Sequence, residues 1–143
     1  MIIVSRQSSS TTAIMSYADA SSAYRQMEVF SASPGQLVVM IYDYLQVQLM
    51  RADHAIEIND IELRSVALGR ATAAITELVG GLDLERGGAL GKQLSSLYTF
   101  FLGEIIDIGR YSDRKRLARI STQVSELRTA FAEISSRPSA SAA

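Results

Sequence analysis

With 14 basic and 15 acidic side chains in 143 residues, the chain has a formal charge of -1 and no electrostatic footprint for nucleic acid or an anionic membrane. The absence of cysteine excludes disulfides and thiolate metal sites, and the length fits one domain that can bury a core unaided. Apolar residues make up 48%, and the two prolines, Pro34 and Pro138, stand outside the long periodic stretches, which favours helices over strands.

Met1 to Val4 is apolar, but Ser5 and Arg6 end the run well short of the roughly 7–15 residues of a secretory signal. Residues 1–16 are polar and low in complexity, and are expected to form a disordered tail. Met15, just before Ser16-Tyr17, leaves two readings open: a native start at Met15, or a genuine tail from Met1. The segment from Tyr17 to Val29 is expected to add a short N-terminal helix.

Ser33-Pro34-Gly35-Gln36 is the first strong helix start. Serine accepts from an orphan N–H, proline suits the first helical position, and Gln36 completes a capping-box pattern. A helix is predicted from there to about Ile58, with Asn59-Asp60 as turn and new cap. The next, about 61–82, places Leu68, Ala71, Ile75, Leu78 and Leu82 on one face. Gly80-Gly81 and Gly87-Gly88 bracket a loop before a third helix, about 89–110. That helix carries Leu94, Phe101 and Ile108, widened by Leu97, Tyr98, Leu102 and Ile105. Ser112-Asp113 caps the last, in which Leu117, Ile120, Val124, Leu127, Phe131 and Ile134 alternate at steps of three and four. Arg137-Pro138 stops it, and residues 137–143 are expected to form a second disordered tail. Short connections imply antiparallel neighbours, so the expected fold is all-α: an up-down four-helix bundle over residues 17–136, with a short extra N-terminal helix or mobile segment.

The helix at 34–58 is richer in apolar residues than one buried face needs: eleven of the fourteen residues from Leu37 to Met50 are apolar. Asp43, Gln46 and Gln48 interrupt this window, which is also shorter than the roughly 20 residues that span a bilayer. Leu37, Ile41, Tyr44 and Gln48 form one stripe and Val38, Tyr42, Leu45 and Leu49 another, with Val39, Met40, Val47 and Met50 partly outside both. Two explanations stay open: a central helix touching two neighbours, or one stripe facing a groove for a partner. Met40 and Met50 suit adaptable contacts but are equally at home in a core.

Chemistry-bearing constellations are scarce. His54 is the single histidine, set among Arg51, Asp53 and Glu57, so a di-metal bundle site built from two Glu-x-x-His pairs is excluded. No G-x-S-x-G context surrounds any serine, and the run Gly87-Gly88-Ala89-Leu90-Gly91-Lys92 lacks phosphate-loop spacing. No enzyme activity, cofactor or metal is expected. The basic run Arg110, Arg114, Lys115, Arg116 and Arg119 reads as a solvated face, with contact to an acidic partner as the other reading.

Ser31-Ala32-Ser33-Pro34-Gly35-Gln36-Leu37, continued by Met40-Ile41-Tyr42-Asp43, closely resembles the flagellar secretion chaperone family (FliS), marked by an S/T-A-S-P segment and an apolar L-Y-D turn. Gly81-Leu82-Asp83-Leu84-Glu85-Arg86-Gly87-Gly88, followed by Leu94-Ser95-Ser96-Leu97-Tyr98, is similar to a second family segment. Tyr17 and Ala23-Tyr24 resemble its N-terminal tyrosines, and Asn59-Asp60 its first interhelical turn. The chain departs from the family at Tyr44, usually a small residue, and at Gly103-Glu104, where a pair of arginines is usual.

The resemblance implies a cytoplasmic chaperone that binds the disordered C-terminal segment of flagellin, 1:1, prevents premature polymerisation and presents it to the flagellar type III export gate. Another flagellar assembly factor is a further implied partner, and the free form is expected to be a monomer or weak homodimer. The groove is assigned to Leu37, Val38, Ile41, Tyr42, Leu45, Leu49, Leu97, Tyr98 and Phe101, and the cap segment to Tyr17 and Tyr24. The alternative function is a self-associating helical-bundle adaptor that binds no flagellin.

Overall fold

The computed structural model describes residues 17–24 and 33–136, without the side chain of Tyr17. They form five helices: α1 (Tyr17–Ala23), α2 (Pro34–Glu57), α3 (Ile61–Gly81), α4 (Leu84–Tyr111) and α5 (Arg114–Ser135). The tails expected over 1–16 and 137–143, and the second half of the helix expected over 17–29, lie outside the described residues.

Each long helix starts where a side chain relieves its first turn. Ser33 Oγ accepts from the N–H of Gln36 at 3.2 Å, and Gln36 Oε1 accepts from the N–H of Ser33 at 3.0 Å, with Pro34 at the first position. Asp60, Asp83 and Asp113 cap α3, α4 and α5 by accepting from Leu63, Arg86 and Arg116. Between α2 and α3 the chain reverses through Asn59 at φ 58°, a conformation asparagine tolerates better than most residues.

The third long helix departs from its expected start at 89. Capped by Asp83, α4 already makes a turn at Leu84 and breaks at Gly88, whose φ of 57° and ψ of -138° are open to glycine alone. Gly87-Gly88 is therefore a kink inside the helix, not part of a loop before it.

Helices α2, α3, α4 and α5 pack in a ring, each against the next and α5 back against α2, giving the up-down four-helix bundle. Helix α1 lies mainly on α4 and also touches α2 and α5. The expected seams of α3 and α5 are buried throughout. On α2 the core stripe is Val38, Tyr42, Leu45 and Leu49, joined by Gln48. Bidentate ion pairs fix α5 along α2: Arg114 donates to Asp53 at 2.8 and 2.9 Å, and Arg128 to Asp43 at 2.7 and 3.4 Å. No described helix is long and apolar enough to cross a membrane.

Candidate functional site

Where α1 crosses the bundle it covers an aromatic cluster contributed by three other helices. Ala20, Ala23 and Tyr24 are spaced i, i+3, i+4, so one face of this short helix meets the bundle, and all three are buried. Tyr24 enters beside Tyr42 of α2, Tyr98 of α4 and Phe131 of α5. Its ring meets Phe131 edge-on at 5.9 Å between centroids, and Tyr42 lies 5.6 Å from Phe131 on a tilt. Tyr98 lies 6.4 Å from Phe101 on a tilt, and Phe101 continues the cluster into the core.

The three tyrosines meet at their hydroxyls. Tyr98 OH shares one hydrogen bond with Tyr24 OH and another with Tyr42 OH, both 2.5 Å, with every ring fully buried. Burial pushes all three phenols well above the ordinary tyrosine range, and the neighbouring phenols add to the shift. The site is therefore neutral at physiological pH: apolar walls around a chain of three hydroxyls.

The backbone of α1 is held as well. Ala23 O accepts from the N–H of Asp83 at 2.8 Å. A Cβ on Gly87 would stand 3.1 Å from the Cα of Ala23, so the seating of α1 on the first turn of α4 depends on the missing side chain.

The nine groove candidates divide. Tyr42, Tyr98 and Phe101 are brought together in the aromatic cluster. Val38 is buried one turn before Tyr42, at the end of α2 where its cap lies. Leu45 and Leu49 continue the same face further along α2, fully buried, and Leu97 is buried on α4. Only Leu37 and Ile41 are half-buried at the surface. Of the cap candidates, Tyr24 fills the cluster, whereas the side chain of Tyr17 lies outside the described ones.

Sequence reasoning treated Phe131 as a seam residue and did not anticipate its contact with two tyrosines. Its i+4 place after Leu127 signals burial but not its partner. The role of Gly87 was equally hidden, because a bare backbone has no periodic signature. The outward surface of α2 also carries Met40, Tyr44, Val47 and Met50, exposed by 62, 46, 42 and 70%.

Other chemistry is thin. His54 is exposed, with Nδ1 3.8 Å from Glu57, and no group of three His, Cys, Asp or Glu among the described residues has metal-binding geometry. In the basic run, Arg114 is held by Asp53 and Arg116 by Glu104 at 2.8 Å, while Arg110, Lys115 and Arg119 are exposed.

The described residues thus define an all-α bundle whose short first helix closes a neutral, buried aromatic cluster. Residues 17–138 match the model of the flagellar protein FliS family, and the chain belongs to that family. It is 31% identical over 122 residues to the flagellar secretion chaperone FliS of Salmonella typhimurium, covering 82% of this chain and 90% of that one. It is 40% identical over 77 residues to the chaperone of the same name from Campylobacter jejuni, covering 54% and 60%. The Bacillus subtilis chaperone of that name is 28% identical over 109 residues, covering 76% and 80%.

Proposed function

We propose that this chain is a cytoplasmic flagellar export chaperone that holds the C-terminal segment of flagellin 1:1, keeps it from polymerising and hands it to the flagellar type III export gate. The observation that carries the reading is the cover: the aromatic cluster of the bundle is closed by a helix of only seven residues. Helices that short are marginal on their own in water. A longer amphipathic segment able to bury more apolar area competes with it at the same place, the helix-in-groove mode of recognition.

On this reading the groove comprises Tyr42, Tyr98, Phe101 and Val38 once α1 has left, with Leu37 and Ile41 at its rim. Leu45, Leu49 and Leu97 support it from beneath. Tyr24, and Tyr17 with it, belong to the competing cap. Each large apolar side chain the client buries contributes about 1.5–3 kcal/mol, against about 2–5 kcal/mol or more for ordering a disordered segment. The result is firm but reversible holding with no nucleotide hydrolysed.

Isothermal calorimetry of the full chain with the C-terminal segment of its own organism's flagellin tests this. Saturable 1:1 binding with a negative heat-capacity change is expected. No heat at several temperatures, and no complex on a sizing column, refutes it.

A second reading, self-association as a structural adaptor, is favoured by the outward stripe Met40, Tyr44, Val47 and Met50. It requires a size that grows with concentration and is indifferent to the flagellin segment.

A further inference from the structure

Tyr98 holds the middle of the hydroxyl chain, between Tyr42 on the bundle and Tyr24 on the cover. When α1 leaves, Tyr98 loses Tyr24 as a hydrogen-bond partner and keeps Tyr42 and its ring contact with Phe101. A purely apolar occupant would leave the Tyr98 hydroxyl with Tyr42 as its single partner, so the donor or acceptor site that Tyr24 had filled would be buried unused, a cost that one polar side chain of the client relieves. We propose that the Tyr98 hydroxyl is a specificity-determining group: it selects a client segment that places one neutral hydrogen-bonding side chain (Ser, Thr, Asn, Gln or Tyr) among its apolar anchors, where Tyr24 sits in the free chain. This rests on the reading that the client takes the place of α1.

Three features bear on the choice of group. The donor chain in the free protein is hydroxyl to hydroxyl, so a group that both donates and accepts fits either orientation of the Tyr98–Tyr42 bond. The three hydroxyls meet one another, and no charged side chain is among the influences on any of the three phenols, so neither a carboxylate nor an ammonium would find a counter-charge there. The same burial that keeps the three phenols neutral disfavours a charged newcomer.

The experiment is a double-mutant cycle on the full chain. Calorimetry compares wild type and Tyr98→Phe, each against the flagellin C-terminal segment and its variants with single polar residues replaced by Ala or, for Thr, Val. One position should lose about tenfold in affinity (about 1.4 kcal/mol) with wild type and less than about twofold with Tyr98→Phe. A cap effect cannot imitate this, because the cap is the same within each row of the cycle. Tyr24→Phe removes a hydrogen bond from the cover alone and should tighten the segment several-fold. Binding with no position coupled to Tyr98 overturns this inference and leaves the chaperone reading intact. No binding to wild type overturns both. Should Tyr98→Phe fail to fold, the wild-type row carries the test, and a set of client variants in which no single polar position loses about tenfold overturns the inference.

Discussion

Gly87→Ala loosens the cover without touching any aromatic residue. The new Cβ would meet the Cα of Ala23 at 3.1 Å and its Cβ at 3.5 Å, so α1 must withdraw by a few tenths of an ångström. Overpacking of this kind costs about 1–3 kcal/mol, and a single tight contact lies at the low end, about 1 kcal/mol. The first turn of α4 itself gains from alanine, which is better than glycine in a helix by up to about 1 kcal/mol. The closed state therefore weakens while the bundle does not. If the cover competes with the client, the apparent affinity rises in proportion, by about fivefold. Calorimetry measures that rise, and amide exchange across residues 17–24 checks that α1 opens more often. Faster exchange in α1 with unchanged or weaker client binding would refute the competition on which the proposed function rests.

Leu45→Glu is expected to unfold the free chain, not merely weaken binding, because Leu45 is fully buried and the new carboxylate has no partner; a cooperative melt near that of wild type would place Leu45 at a surface instead. Gln48 and Gln123 are buried, with Oε1 of the first and Nε2 of the second unpartnered, so Gln48→Leu with Gln123→Leu should raise stability in urea by about 1–3 kcal/mol. Unchanged stability would mean that those atoms are satisfied in solution. The three buried phenols have folded-state pKa values above their unfolded value of about 10, so their contribution is fully present below that pH and is lost as pH rises towards the folded values. Phenolate absorbance should therefore show them ionising only together with loss of helical circular dichroism, and ionisation with the helices intact would contradict the sealed site.

The bundle was legible because its signals are local. Ser33, Asp60 and Asp113 announce helix starts by their own chemistry, and the spacing of Leu117 through Ile134 fixes one buried face. The start of α4 was misread because Gly87-Gly88 has the composition of a loop. Only the cap from Asp83 and the contact with Ala23 make the preceding turn helical. The stripes of α2 were ambiguous for another reason: periodicity gives faces but not which face a neighbour takes. Packing between α3 and α5 turned Val38, Tyr42, Leu45 and Leu49 inward and left Tyr44 out. A meeting of hydroxyls from residues 24, 42 and 98 has no sequence signature at all.

Departures from the family pattern have a physical consequence at the other end of the molecule. Glu104 stands where the resemblance leads one to expect arginine, and it holds Arg116 at 2.8 Å, with Asp107 at 3.6 Å and Asp113 at 3.5 Å on the same guanidinium. One cation of the basic run is thus drawn into a lateral tie between α4 and α5, and Asp53 takes Arg114 in the same way towards α2. The run contributes to the joints of the bundle as well as to its solvated face. Arg128 and Asp43 make a third such tie beside the aromatic cluster, so directional pairs hold α5 along the length of α2 while the contacts described for α1 are apolar, hydroxyl and backbone ones. Apolar contact alone is non-directional and would admit any amphipathic helix of adequate length. On the proposed reading, the hydroxyl chain beneath the cover adds what apolar area lacks, a fixed point at which the register of the incoming segment is read.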